Sequence, residues 1–175
     1  GLVRHHVGKR LLLGEADNSS PDRLGLLLGW LRRAGLDAER SADIRADIWV
    51  KLWGNISTNP ISLLTGTTLD RIIDDPLVHQ LCLRMMEEAR LIGSAIGIKV
   101  SLSTGELIMR ARSFGAYKTS MLQDLERGAP VEIEALFTVM HEIGEIGGVP
   151  TPFIDSVLGL ARLRASTLGL FGGAA

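Results

Sequence analysis

Ile44, Ile48, Leu52 and Ile56 stand four residues apart, a period that lines one face of an α-helix. Pro60 follows one turn later and is expected to kink or end that helix, because its ring removes a donor and crowds the preceding turn. The same kind of signal governs everything after Ala42. Asp75-Pro76 opens a second long helix whose apolar set, Leu77, Leu81, Met85, Ala89, Ile92 and Ile96, continues to Gly97. Ser103-Thr104 opens a third, through Leu107, Ile108 and Ala111, stopping near Gly115. The polar break Lys118-Thr119-Ser120 precedes a short segment ending at Gly128-Ala129-Pro130. Glu132 then begins a helix with Ile133, Leu136, Phe137, Met140 and Ile143, closed by Gly147-Gly148-Val149-Pro150. Thr151 is placed to cap a last helix carrying Phe153, Val157, Leu160 and Leu163. A mainly α fold is the expectation.

The first forty residues read differently. Val3 to Val7 and Arg10 to Gly14 have the look of two short strands joined at Gly8-Lys9, a hairpin-like arrangement. Glu15 to Pro21 is turn chemistry, with Ser20 as N-cap and Pro21 at the first helical position. Leu24, Leu27, Leu28 and Leu31 mark an amphipathic helix ending near Gly35, and Leu36 to Ser41 reads as a further strand. Two or three strands and one helix cannot bury their own faces. Residues 1–41 therefore read as the end of a larger α/β domain, and residues 42–175 as a helical domain.

Hydrophobic residues make up 46% of the 175 positions, enough for a sizeable core. The net charge of −1 comes without a basic block, which argues against a nucleic-acid surface. Cys82 is the single cysteine, so a disulfide framework is excluded and a reducing compartment expected. Its apolar helical setting suits a core filler better than a nucleophile, which needs electropositive surroundings. No apolar run reaches the ~18 residues of a membrane span, and Gly1 to His6 do not read as a signal peptide. The expectation is a soluble cytoplasmic protein.

Lys51, Asn55 and Asn59 stack four residues apart on one helix face, set among Trp49, Val50, Leu52, Trp53 and Ile56. An ammonium is strongly hydrated, and burying it is costly without partners. A lysine flanked by two amides suits an oxygen-bearing substrate; a lysine reaching the surface while its stem covers tryptophan is the other reading. Ser120 is a candidate ligand group that also suits an N-cap, and Glu132 is a candidate that also suits a helix's first turn. His141-Glu142 has Glu145 where a zinc helix needs a second histidine, so no metal is expected. His79 has no histidine or cysteine four residues away. No glycine-rich piece follows a strand and opens a helix, so a dinucleotide fingerprint is missing from the sequence.

Five pieces in order resemble the C-terminal part of the ketopantoate reductase (2-dehydropantoate 2-reductase) family: Lys51-x-x-x-Asn55-x-x-x-Asn59-Pro60, Leu64-Thr65-Gly66, Thr119-Ser120-Met121-Leu122-Gln123-Asp124, Gly128-x-Pro130-x-Glu132-Ile133-Glu134, and Gly147-Gly148-Val149-Pro150-Thr151-Pro152. Gly14-Glu15 and Asp43-Ile44-Arg45-x-x-x-Trp49 resemble the family's run into its second domain. The resemblance implies an all-helical domain of the 6-phosphogluconate dehydrogenase C-terminal-like type, preceded by a small α/β remnant of a Rossmann domain. It implies NADPH-dependent reduction of ketopantoate to pantoate in pantothenate biosynthesis. Lys51 would be the general acid; Asn55 and Asn59 would orient it and bind substrate oxygens. Ser120 would bind the substrate carboxylate, and Glu132 the substrate hydroxyl while interacting with Lys51; Glu132 is also a candidate cofactor contact. NADPH would be held mainly by a preceding Rossmann domain, so the chain alone is expected to be inactive. Leu69 stands where a polar residue is expected, which opens reduction of another 2-oxo acid. A non-catalytic helical binding or dimerisation module is a further alternative, and a homodimer is compatible with either reading; no nucleic-acid or membrane partner is expected.

Overall fold

A computed structural model describes residues 9–170 of the chain, which divides into two compact units, Gly1–Ile48 and Trp49–Ala175. In the first, β1 (Arg10–Leu13) is followed by helix α1 (Asp22–Arg33) and β2 (Asp37–Arg40). The two strands pair in parallel, Arg10 opposite Asp37 and Leu13 opposite Arg40. The hairpin expectation is thereby corrected in part. The second of its strands forms but pairs in parallel across a helical crossover, as parallel strands require; the first, Val3 to Val7, lies outside the described residues. The helix start is also corrected. Pro21 has an extended ψ of 154° and is itself the N-cap, so Asp22, not Pro21, is the first helical residue. Among the described residues of this unit, Leu24, Leu28 and Ala38 form a buried apolar cluster, with Leu13 and Leu31 packed on them.

Helix α2 (Ile44–Thr65) carries the chain into the second unit and stays helical through Pro60. Pro60 gives the Ile56 carbonyl no amide partner, and the residues around it are buried. Hydroxyls along this half bond the helix's own carbonyls: Ser57 and Thr58 to Gly54 (2.9 and 3.1 Å), Ser62 to Asn59 (2.7 Å) and Thr65 to Ile61 (2.7 Å). The burial of Ile56, Ile61 and Leu63 carries the helix past the proline. A short helix α3 (Leu69–Asp74) follows, unanticipated from the sequence. Helix α4 (Pro76–Ala95) starts at an Asp75 carboxylate that accepts from the Leu77 and Val78 amides. Helix α5 (Thr104–Arg112) starts at a reciprocal Ser103–Glu106 capping box. Helix α6 (Ser120–Arg127) is capped by Thr119, whose hydroxyl accepts from Leu122 N, so Ser120 is the first helical residue and not the cap. Gly128, at φ 64°, ends it in the left-handed conformation that favours glycine.

The helix expected from Glu132 begins instead with a π-helical turn, Glu134–Thr138, before α7 (Val139–Gly147). Helix α8 (Pro152–Thr167) completes the described fold. Thr151 does precede α8, but its hydroxyl bonds Asp155 at 3.0 Å and caps no amide. The cap comes from α4: the Glu88 carboxylate accepts from the Phe153 and Ile154 amides at 2.9 and 2.8 Å. The core is built from Trp53, Ile56, Leu63, Met85, Met86, Ile92, Ile133 and Met140, and the Trp53 indole donates to the Met86 carbonyl. Gly93 has no room for a side chain, since a Cβ there would lie 2.5 Å from Trp49 Nε1. Among the described residues no helix is long and apolar enough to cross a membrane.

Three expectations follow from these contacts. Glu88→Ala should lower the unfolding free energy by about 1–3 kcal/mol in urea titrations, because the buried Ile154 amide and the part-buried Phe153 amide lose their acceptor. Burial pushes the Glu88 carboxyl above its ordinary 4.5, against the opposing pull of the Phe153 and Ile154 amides and with a smaller upward push from Asp155. A folded-state pKa raised above the unfolded one makes this residue's contribution fall as pH rises from 4.5 through the raised value. Glu88→Gln should flatten that part of the stability–pH curve. Cys82 is fully buried, its thiol 3.3 Å from the Ser57 carbonyl, and burial pushes it up to about 12. Iodoacetamide at pH 8 should therefore label Cys82 only after denaturation, as read by intact mass.

Candidate active site

One face of α2 presents Lys51, Asn55 and Asn59 in that order. Lys51 is exposed, Asn55 half-buried and Asn59 buried, so the stripe runs from solvent into the fold. Among the described residues none bonds or ion-pairs with these three side chains. The apolar neighbours lie elsewhere on the helix: Trp49 and Trp53 are each two positions from Lys51, about 200° around the axis, and both are buried. The lysine is thus carried on a helix packed on its far side, with the ammonium available to a ligand.

Ser120 reaches the same neighbourhood through the backbone. The Ser62 hydroxyl, fully buried on α2, donates to the Asn59 carbonyl at 2.7 Å and is hydrogen-bonded to the Thr119 hydroxyl. Thr119 in turn accepts from Leu122 N at 3.2 Å. The first turn of α6, and with it the exposed Ser120, is therefore fixed to the Asn59 turn of α2. Ser62 and Thr119 are the residues that sequence reasoning did not single out as part of the site. A serine inside the apolar run Pro60-Ile61-Ser62-Leu63 was the available signal, since a buried hydroxyl must find a partner.

Glu132 stands apart from this arrangement. It is exposed, between buried Val131 and Ile133, just ahead of the π-helical turn. Val131 N donates to the Leu170 carbonyl at 3.0 Å, which anchors this irregular piece to the residues just after α8. No ion pair joins Glu132 to Lys51 among the described residues. Leu69, the first residue of α3, is buried, and its amide donates to the Tyr117 carbonyl at 3.0 Å. A cavity of about 390 Å³ lined by Trp49, Trp53, Arg90 and Lys99 contains none of the five candidate residues. His141 is held by Asp155 at 2.9 Å, and His79 contacts the Ile73 carbonyl at 3.0 Å.

The βαβ unit does not fit a dinucleotide. A pyrophosphate needs free amides and positive potential at the start of the helix. Here the loop from β1 to α1 carries Glu15 and Asp17, and α1 opens with Asp22. The Arg23 guanidinium, 2.8 Å away, holds the Glu15 carboxyl below its usual range, and the Ser19 hydroxyl and amide do the same for Asp17. Both are carboxylates at neutral pH, and they repel phosphate.

A model of the family described as "Ketopantoate reductase PanE/ApbA C terminal" matches residues 43–165. The chain is 47% identical over 171 residues to a 2-dehydropantoate 2-reductase of Mesorhizobium japonicum, a match that takes in 98% of this chain and 52% of the relative. The chain thus spans about half the length of the curated relatives it matches. Its fold superposes with a TM-score of 0.90 and 50% identity on a ketopantoate-reductase-like chain of Ralstonia solanacearum MolK2, covering 95% of this chain and 51% of that one. At 21% identity the D-mandelate dehydrogenase of a ternary structure with NADH and anilino(oxo)acetate shares the fold, with a TM-score of 0.79 over 91% of this chain and 67% of that one. With the Lys51–Asn55–Asn59 face inside the matched segment, the chain belongs to the ketopantoate reductase family, and its second unit is built as that family's all-helical C-terminal domain.

Proposed function

We propose that this chain supplies the substrate-binding half of an NADPH-dependent reductase that converts ketopantoate to pantoate in pantothenate biosynthesis. The observation that carries the reading is the unpaired, exposed Lys51 ammonium on the same helix face as Asn55 and the buried Asn59. Reduction of a 2-oxo acid places a hydride on C2 and leaves negative charge on the former carbonyl oxygen. A cation that carries a transferable proton is what that oxygen needs. Lys51 donates a proton from Nζ to it and leaves as the neutral amine, which regains a proton from solvent. Asn55 and Asn59 orient the ammonium and donate to substrate oxygens. Ser120, at the first turn of α6, binds the substrate carboxylate, where the helix's amide end favours an anion. Glu132 accepts from the substrate hydroxyl.

The hydride comes from the nicotinamide cofactor, held by the half of the full-length relatives that lies outside this match. Residues 1–41 are proposed to be the closing part of that cofactor domain, and residues 42–175 the helical domain that takes the 2-oxo acid. Leu69 favours a second reading, in which another branched 2-oxo acid is the substrate: it is buried and apolar where the family pattern suggests a polar contact.

The test is NADPH oxidation by the full-length enzyme with ketopantoate. Lys51→Ala should lower kcat by at least about a hundredfold while the protein stays folded, as loss of a general acid does. A near-normal kcat/KM in that variant would remove Lys51 from the chemistry. Glu132→Ala should chiefly raise the KM for ketopantoate, read from the same assay. Turnover of other 2-oxo acids in preference to ketopantoate would select the second reading.

A further inference from the structure

We infer that Ser62 and Thr119 are positioning residues, whose two buried hydroxyls form a one-way hydrogen-bond chain that sets the substrate grip of Ser120 against that of Asn59. The inference rests on the reading that those two residues bind the 2-oxo acid, and it concerns what holds them.

Counting protons fixes the direction of the chain. A hydroxyl has one hydrogen to give. The Ser62 hydroxyl lies 2.7 Å from the Asn59 carbonyl, which only accepts, so its proton is committed there. The bond between Ser62 and Thr119 must then be donated by Thr119. The Thr119 oxygen accepts from the Leu122 amide at 3.2 Å. The sequence therefore runs from the Leu122 N–H to the Thr119 hydroxyl, to the Ser62 hydroxyl, to the Asn59 carbonyl. Ser62 is fully buried and Thr119 is 4% exposed, so water does not stand in readily for either hydroxyl. Ser120 is covalently next to one end, and Asn59 is the other end. The carbonyl that closes the chain also belongs to the Asn59–Pro60 peptide, which has no N–H of its own to lock the turn.

A hydroxyl removed from the middle of such a chain leaves the other without its partner, so the two losses overlap and do not add. In the full-length enzyme, Ser62→Ala and Thr119→Val should each raise the KM for ketopantoate about tenfold, and the double variant should be no worse than the poorer single one. The KM for NADPH should stay at the wild-type value, and Thr119→Ser, which keeps the hydroxyl, should restore the ketopantoate KM. A purely structural role would lower the melting temperature and leave both KM values alone, which would overturn the inference. Additive effects on the ketopantoate KM would do the same. If the wild-type enzyme turns over no ketopantoate, the functional reading falls, and hydrogen exchange at the Leu122 amide then judges the chain on its own. Faster exchange in Ser62→Ala supports it; an unchanged rate overturns it.

Discussion

Helix α2 continues past a proline, and the link between Asn59 and the start of α6 depends on that continuity. Had the helix ended at Pro60, Asn59 would be a terminal residue and Ser62 would not be held under the start of α6. What keeps the helix intact is burial: the residues from Ile56 to Leu63 are all buried, while Ser57, Thr58, Ser62 and Thr65 each donate to a carbonyl three or four positions back. Hydroxyls that bond back in this way ordinarily weaken or bend a helix. Here none of them reaches the Ile56 carbonyl, the one that Pro60 leaves without an amide, so the packed core carries the helix past the proline.

Local chemistry was readable where a short stretch settles its own conformation. The Asp75-Pro76 start of α4, the Ser103 start of α5 and the glycine stop of α6 at Gly128 all stand where side-chain caps and turn residues put them. Apolar periodicity locates the long helices but not always their buried face, since Ile48, Leu77, Leu160 and Leu163 of the expected apolar sets are exposed. Helix α3 was not legible, because six residues make too short a window for a period to register. The pairing of β1 was misread because strand partners are set by elements far apart in sequence, and Arg10 to Leu13 pairs with Asp37 to Arg40. At the start of α6 two adjacent hydroxyl residues compete for the cap; Thr119 takes it, which frees the Ser120 side chain.

The candidate site was legible to different depths. The Lys51–Asn55–Asn59 stripe follows directly from helix geometry, and the structure grades it from exposed to buried as a spacing argument cannot. The tie between Asn59 and Ser120 runs through the Ser62–Thr119 bond, whose partners are 57 positions apart, and is a tertiary fact. Glu132 belongs to another part of the fold, on a piece anchored to Leu170 and followed by a π-helical turn. Nothing in the local pattern Val131-Glu132-Ile133 distinguishes a turn of five-residue hydrogen bonds from an ordinary one.

Helix α8 begins on a carboxylate that belongs to α4, 65 and 66 positions earlier in the chain. Most helices carry their own start signal in the residue just before them. This one has Thr151 in that place, and its hydroxyl is turned to Asp155 instead. The first turn of α8 is therefore incomplete until α4 has formed and the two helices have met. The start of α8 is thus completed by a tertiary contact with α4 and not by its own sequence. Pieces of the protein cut between α4 and α8 would leave the later piece with a frayed leading end, however helical its sequence.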